Sequence, residues 1–344
     1  MLKPTKNIFF SLKVALTAVI TALSCAASYA SDTWNTERKK AKSMITVEKL
    51  AREVSFLTDS ICQGRASGTK GAMEAAQWVR RKFQDAGLMD MTGTWSQGFR
   101  ISQGQAHTGR NIIGMLPGSR SIPCDRYIIV GAHYDHIGTL DGKMYPGADS
   151  NASGVTAVTS LAEMFGAMRQ MGKIYDSHII FVAFDANEFS LRGSEALWEM
   201  IEGEELRNPL NGKTITKDKI ALMVNIDQLG SSLSPISNGR KDYMIMLGTH
   251  SLSKDKRDLL HRCNIGDGFG MEIALDYYGS KNFTEIFYTL SDQKVFVENK
   301  KPAVLFTSGI TMNNNKTWDR TENMDLEIYR ERICLIYHWI EEML

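Results

Sequence analysis

Six short, β-rich apolar runs, at residues 111–116, 127–132, 178–184, 220–226, 243–247 and 303–306, constrain this chain more than any other feature. Helical periodicity fills the intervals. It covers 155–168 and 191–202 between successive runs, 251–263 and 325–344 later, and 46–57 and 71–88 ahead of the first run. Gly87 marks a stop, and residues 62–68 read as the loop between the two opening helices. Strands alternating with helices predict an α/β fold, a mostly parallel central sheet with helices on both faces. The stretch 231–301 fits neither period clearly and reads as a substrate-side insertion. There is no internal repeat or low-complexity tract.

The first 30 residues read as a secretory signal peptide: Lys3, Lys6 and Lys13 without an acid, an apolar run from Val14 to Leu23, and a small-residue exit at Ser28-Tyr-Ala30. That run is short for a bilayer span, so cleavage after Ala30 is expected, with no transmembrane segment in the mature chain and a periplasmic or extracellular location. Cys25 as a lipoprotein anchor is the lesser reading, because Ala22-Leu23-Ser24 is a weak version of the box that would precede it. Three of the 40 Lys and Arg but none of the 39 Asp and Glu lie in residues 1–30, leaving 37 against 39 in residues 31–344. Nothing in that balance points to nucleic acid. Residues 31–344 read as one domain, since large α/β sheets reach this length. Cys62, Cys124, Cys263 and Cys334 remain. An even count permits disulfides in an oxidising compartment, and burial as small hydrophobes fits their wide spacing at least as well. None forms a CxxC pair, which argues against a thiolate zinc site.

Polar clusters sit where the apolar runs end. His133 closes the run from Tyr127, Asn187 and Glu188 lie just past the run ending at Phe184, and Asp227 follows the run ending at Ile226. In an open parallel sheet, ligands bind beyond the carboxyl ends of the strands, so His133, Glu188 and Asp227 share one rim. The words in order are Gly131-Ala-His133-Tyr-Asp135-His136, Gly147-Ala-Asp149-Ser-Asn-Ala-Ser-Gly154, Phe184-Asp-Ala-Asn187-Glu188 through Gly193-Ser194, and Asn225-Ile-Asp227. Singly each has a plain reading: a surface His–Asp pair, a glycine-rich loop capping a helix through Asn151 or Ser153, a strand-end turn. Jointly they look like a metal site.

These words resemble the ligand-bearing motifs of the zinc-dependent exopeptidases, the family of bacterial aminopeptidases, glutamate carboxypeptidase, glutaminyl cyclase and the peptidase-like domain of the transferrin receptor. The resemblance spans roughly residues 57–325 and implies that family's phosphorylase/hydrolase-like fold. It implies one zinc on His133, Asp149 and Asp227, with Asp149 bridging to a second zinc on Glu188 and a late histidine. Asp135 matches an acid that orients a ligating imidazole.

Three positions depart from the family pattern. Asn187 stands where the family has the glutamate that takes a proton from the metal-bound water, and an amide cannot do so. In Asn314-Asn315-Lys-Thr-Trp-Asp319, Asn315 stands where the late histidine belongs, and an amide oxygen substitutes poorly for imidazole on zinc. Gln293 replaces the histidine of a Ser-Asp-His stretch. The nearest alternative acid is Asp185, on the side of Asn187 if the strand stays extended. His136, His178, His250, His261 and His338 match no ligand motif and read as surface or satisfied core residues. Gly64-Arg65, also family-like, reads as part of a structural loop.

The implied protein is an exported aminopeptidase-like homologue with one well-formed zinc site, weak or lost peptidase activity, and a cleft for a peptide or amino-acid-like ligand. The alternative is an active metallo-aminopeptidase in which the single metal activates water. Glutaminyl cyclase fits less well, because that activity uses both the adjacent Glu and the late His.

Overall fold

A computed structural model of the protein describes residues 36, 39–101, 108–119, 125–232, 240–277 and 279–344. The chain divides into two units, Met1–Met44 and Ile45–Leu344. In the first, residues 39–43 are helical. The expected signal peptide, with Cys25, lies outside the described residues, as does Cys124. No helix among the described residues is long and apolar enough to cross a membrane.

The second unit opens with α1 (Val47–Leu57) and α2 (Lys70–Asp85), started by the Thr46 and Thr69 hydroxyls, which accept from Lys49 N and Ala72 N at 3.2 Å. Next come β1 (Met89–Asp90), β2 (Ser96–Arg100), β3 (Thr108–Leu116), β4 (Tyr127–His133) and the hairpin β5 (Gly138–Leu140) with β6 (Lys143–Tyr145). The middle of the chain supplies α3 (Ser153–Gln170), β7 (His178–Phe184), α4 (Arg192–Glu202) and β8 (Ile220–Ile226). The remainder is β9 (Tyr243–Leu247), α5 (Lys254–Gly266), β10 (Glu272–Ala274), α6 (Lys281–Tyr288), α7 (Gln293–Glu298), β11 (Ala303–Thr307) and α8 (Leu326–Glu341).

The main sheet runs β3, β7, β4, β8, β11, β9, β10, with β1 and β2 both pairing with β3. Its centre, β7–β4–β8–β11, is parallel; β3 on one side and β9 on the other run antiparallel to it. The parallel sheet inferred from the alternation is therefore its middle. The stretch 231–301, read above as a substrate-side insertion, supplies β9 and β10, which complete one end of the sheet.

Every residue of β4 and β7 is buried, since helices cover both faces. On one face Ile180, Val182 and Phe184 pack with Leu197, Trp198 and Ile201 of α4 and Phe296 of α7. On the other, Phe181 meets Phe83 of α2 and Phe165 of α3 at centroid separations of 6.2 and 6.4 Å, and Phe165 meets Tyr337 of α8 at 4.6 Å. At roughly 1.5–3 kcal/mol per buried large apolar side chain, these layers make the sheet's rim a rigid platform.

Candidate functional site

Register brings the site residues to one edge. Pairing of His133 with Phe184 across β4 and β7, and of Gly131 with Asn225 across β4 and β8, aligns three strand ends. His133 is the last residue of β4, and Asp227 follows β8, its N–H donating to Phe306 O of β11 at 3.1 Å. Asn187 and Glu188 lie in the turn after β7, which the left-handed backbone of Ala186 (φ 58°) bends back over the rim.

Asp135, fully buried, ties two of these segments together. Its carboxylate accepts from Asn187 N at 3.0 Å, Glu188 N at 3.1 Å and Ser67 Oγ at 3.3 Å. The His133 ring meets the Asp135 carbonyl through Nδ1 at 3.1 Å. In the neutral ring an N–H there would leave Nε2 as the lone-pair nitrogen, and Nε2 stands 3.5 Å from Asp227 Oδ1. Burial pulls the His133 imidazole down, but Asp227 and Asp135 outweigh it and hold the ring well above its ordinary range. Burial likewise opposes ionisation of Asp227, and His133 outweighs it, leaving Asp227 below the usual carboxylate range.

The loop of Asp149 is held from behind. The Asp319 carboxylate accepts from Asp149 N at 3.0 Å and Ser150 N at 3.1 Å, and its carbonyl accepts from Ala148 N at 3.1 Å. Asp149 Oδ1 accepts from Gly230 N at 2.7 Å and Ser153 Oγ at 3.2 Å; Oδ2 is buried with no hydrogen-bond partner. Neither Asn151 nor Ser153 is the N-cap of α3, which is Ala152 with no side-chain cap bond; the Asn151 side chain instead accepts from Gly154 N in the first turn at 3.0 Å. Arg65 is the structural residue its loop suggested. Fully buried, it donates to the carbonyls of Tyr134, Leu57, Pro146 and Gly147 at 2.6–2.8 Å, joining the His133 loop to the Asp149 loop. Burial pushes its guanidinium down to about 10.

A cavity of about 260 Å³ opens on this rim. His133, Ser150, Asn187, Glu188, Asp227, Gln228, Asn314 and Asn315 form its polar wall, and Tyr277, Phe287, Leu290, Leu305 and Ile310 its apolar one. Two of the three departures from the family pattern, Asn187 and Asn315, thus face the same space as Glu188. Asn187 Nδ2 donates to Asp292 Oδ2 at 3.1 Å, which leaves the amide oxygen as its remaining acceptor. Asp292, fully buried behind Asn187 and pushed up to about 6 chiefly by burial, is a site neighbour that the sequence did not single out. Asp185 does not replace the missing acid: its carboxylate accepts from Arg110 N and Ala186 N, each at 2.8 Å, away from the cavity lining. Gln293 is a buried link, accepting from Asn225 Nδ2 at 2.7 Å and donating to Tyr288 O at 2.6 Å.

These residues fit a divalent metal in part. Two donors on one tetrahedral ion with bonds of about 2.1 Å stand about 3.4 Å apart. The His133–Asp227 separation of 3.5 Å matches that spacing and is too long for a good hydrogen bond. Asp227 Oδ1 and Asp149 Oδ2 both lack hydrogen-bond partners although buried, a costly state that a cation relieves. Among the described residues no three His, Cys, Asp or Glu side chains already stand close enough to hold one ion together, so the pair is formed and its third donor is not drawn in.

Residues 111–333 match peptidase family M28. The chain belongs to that family. Among solved structures, the aminopeptidase LapA of Legionella pneumophila superposes with a TM-score of 0.65 at 18% identity, covering 90% of this chain and 75% of that one. BSAP, a zinc aminopeptidase from Bacillus subtilis, gives 0.51 at 19%, covering 69% and 50%. The glutaminyl cyclase of Porphyromonas gingivalis gives 0.61 at 15%, covering 87% and 99%. At these identities the likeness is one of fold. The family and the fold are those expected from the motifs.

Proposed function

We propose that this M28 protein is an exported zinc aminopeptidase homologue with weak or lost peptidase turnover, whose cleft still takes a peptide end or an amino-acid-like ligand. His133, Asp149 and Asp227 would hold a zinc ion, which when bound supplies Lewis acidity and a more acidic water. Asp135 would orient His133 and the 187–188 turn, and the apolar wall would receive a side chain. The observation that carries the reading is Asn187: at the proton-acceptor position lies an amide on the cavity wall, tied back to Asp292. A positioned acceptor contributes typically 10²–10⁴ in rate, so its loss leaves slow turnover at best.

The test is hydrolysis of a panel of aminoacyl chromogenic substrates with added zinc, alongside equilibrium binding of free amino acids and dipeptides. The proposal expects binding with little turnover. Export is tested by N-terminal sequencing of secreted material, expected to begin near Ser31; an intact Met1 or a lipid on Cys25 would defeat that version. One observation favours the active-aminopeptidase reading: the Asp292 carboxyl lies one hydrogen bond behind Asn187. On that reading wild type turns over and Asp292→Asn abolishes turnover without loss of zinc.

A further inference from the structure

We propose that His136 is a metal ligand, taking the part left open by Asn315 and pairing with Glu188 to hold a second divalent cation. The inference rests on the zinc-cleft reading above and deepens it. Among the other histidines named from the sequence, His178 meets Gly118 N at 3.0 Å and Asn208 Nδ2 at 3.3 Å at the far end of β7. His338 lies 2.6 Å from Asp267 on α8, His250 packs edge-on against Tyr288 at 5.6 Å, and His261 is exposed on α5. None of these lines the cavity or pairs with one of its carboxylates.

His136 shares with His338 a buried ring without hydrogen bonds, and differs from it and the others in facing a carboxylate of the cavity wall, Glu188. His136 is buried, with 1% of its surface exposed, and neither ring nitrogen has a hydrogen-bond partner. Buried imidazole nitrogens without partners are costly, and protein interiors rarely leave both of them so. Its Nδ1 stands 3.6 Å from Glu188 Oε1. That is beyond a hydrogen bond, nearly equal to the 3.5 Å between His133 Nε2 and Asp227 Oδ1, and close to the spacing of two donors on one tetrahedral ion. Two histidine–carboxylate pairs of the same spacing therefore stand at this rim, His133 with Asp227 on the cavity wall and His136, buried outside the lining, against the wall residue Glu188.

The backbone supports the second pair as it does the first. Asp135 lies between the two histidines in sequence and accepts from Glu188 N, while His136 N donates to Arg65 O at 3.2 Å. The ring rests on the loop that carries Asp149: a Cβ at Gly147, whose φ is +60°, would come within 2.5 Å of His136 Cδ2. Glycine there leaves room for the imidazole two residues before the carboxylate whose Oδ2 has no partner. A neutral imidazole beside a carboxylate is a donor set that suits zinc, whereas the Asn315 amide is a weak one.

The test measures metal stoichiometry, not activity. Chelator-stripped wild type is titrated with Zn²⁺ against a chromophoric competitor, and with Co²⁺ while its visible d–d bands are recorded. Two equivalents are expected in wild type. His136→Gln is expected to lose one equivalent and the Co²⁺ band it generates, and Asn315→His in that background to restore both. A single equivalent in wild type, or two equivalents that persist in His136→Gln, would overturn the assignment. A wild type holding one equivalent that depends on His133 would overturn His136 while leaving the zinc-cleft reading intact. A wild type holding none would overturn both.

Discussion

The two halves of the cleft are held in different ways. His133 and Asp227 sit directly at strand ends, and Asp149 is fixed by Asp319, Ser153 and the backbone of Gly230. All of that is buried except Asp227, which is half-buried, and Arg65 ties it together from behind. Glu188 sits instead in a turn with left-handed backbone at Ala186, Ser190 and Leu191, its side chain 36% exposed, and Asn315 lies with φ 56° on the loop after β11. In the first half each site residue is bound into the structure beneath it. In the second, an exchange of side chains disturbs little else, and two of the three replaced positions, Asn187 and Asn315, fall there.

The largest expected effect breaks the buried half. Arg65→Met strands four buried carbonyls and should cost roughly 4 kcal/mol or more, seen as a lower urea midpoint with an unchanged slope. Asn315→Ala in the other half should cost only about 1 kcal/mol, from its left-handed backbone. Equal losses would erase the contrast.

Next in size is the return of a proton acceptor. Asn187→Glu should raise aminoacyl-substrate turnover by roughly 10²–10⁴. With His136 as the second ligand the single change is enough, and Asn315→His adds little. If the gain requires both changes together, the groups act as one unit and Asn315 marks a real vacancy in the donor set.

Metal retention gives a third comparison. His133→Ala should weaken the first zinc by at least about 100-fold, since loss of an outer-shell partner alone costs 10–100-fold, whereas Glu188→Ala should leave that zinc in place. Elemental analysis after dialysis reads both.

How much of this was legible follows from the same contrast. The strands β7, β8 and β9 match their apolar runs end to end, because burial on both faces leaves no polar interruption to blur the boundary. The edge strand β2, Ser96–Arg100, pairs only with β3 and carries the mixed composition of a half-exposed strand. Helix α6 exposes Phe283 and Ile286, which obscures its periodicity. Ligand candidates at strand ends could be read from the chain for the same reason as the strands. The approach of His136 to Glu188, the bond from Asn187 to Asp292 and the Asp319 clamp depend on loop dihedrals and long-range contacts, which no local pattern encodes.

The smallest effect is in pH. Burial pushes Asp292 up to about 6, so the folded metal-free protein holds a proton that the unfolded chain has released by about pH 4. The stabilisation that this proton brings is present at low pH and is lost as pH rises from about 4 to 6. Asp292→Asn removes that dependence, and its stability relative to wild type should improve by about 1–3 kcal/mol across this window in metal-free chemical denaturation. A constant difference between the two would mean that Asp292 is not a protonated buried acid in the folded state.

The most direct measurement is steady-state hydrolysis of aminoacyl chromogenic substrates by zinc-supplemented wild type beside His133→Ala. The proposed reading, in which Asn187 stands in place of a proton acceptor, predicts rates that are low in wild type and scarcely lower in the variant. Robust wild-type turnover that His133→Ala abolishes would contradict it.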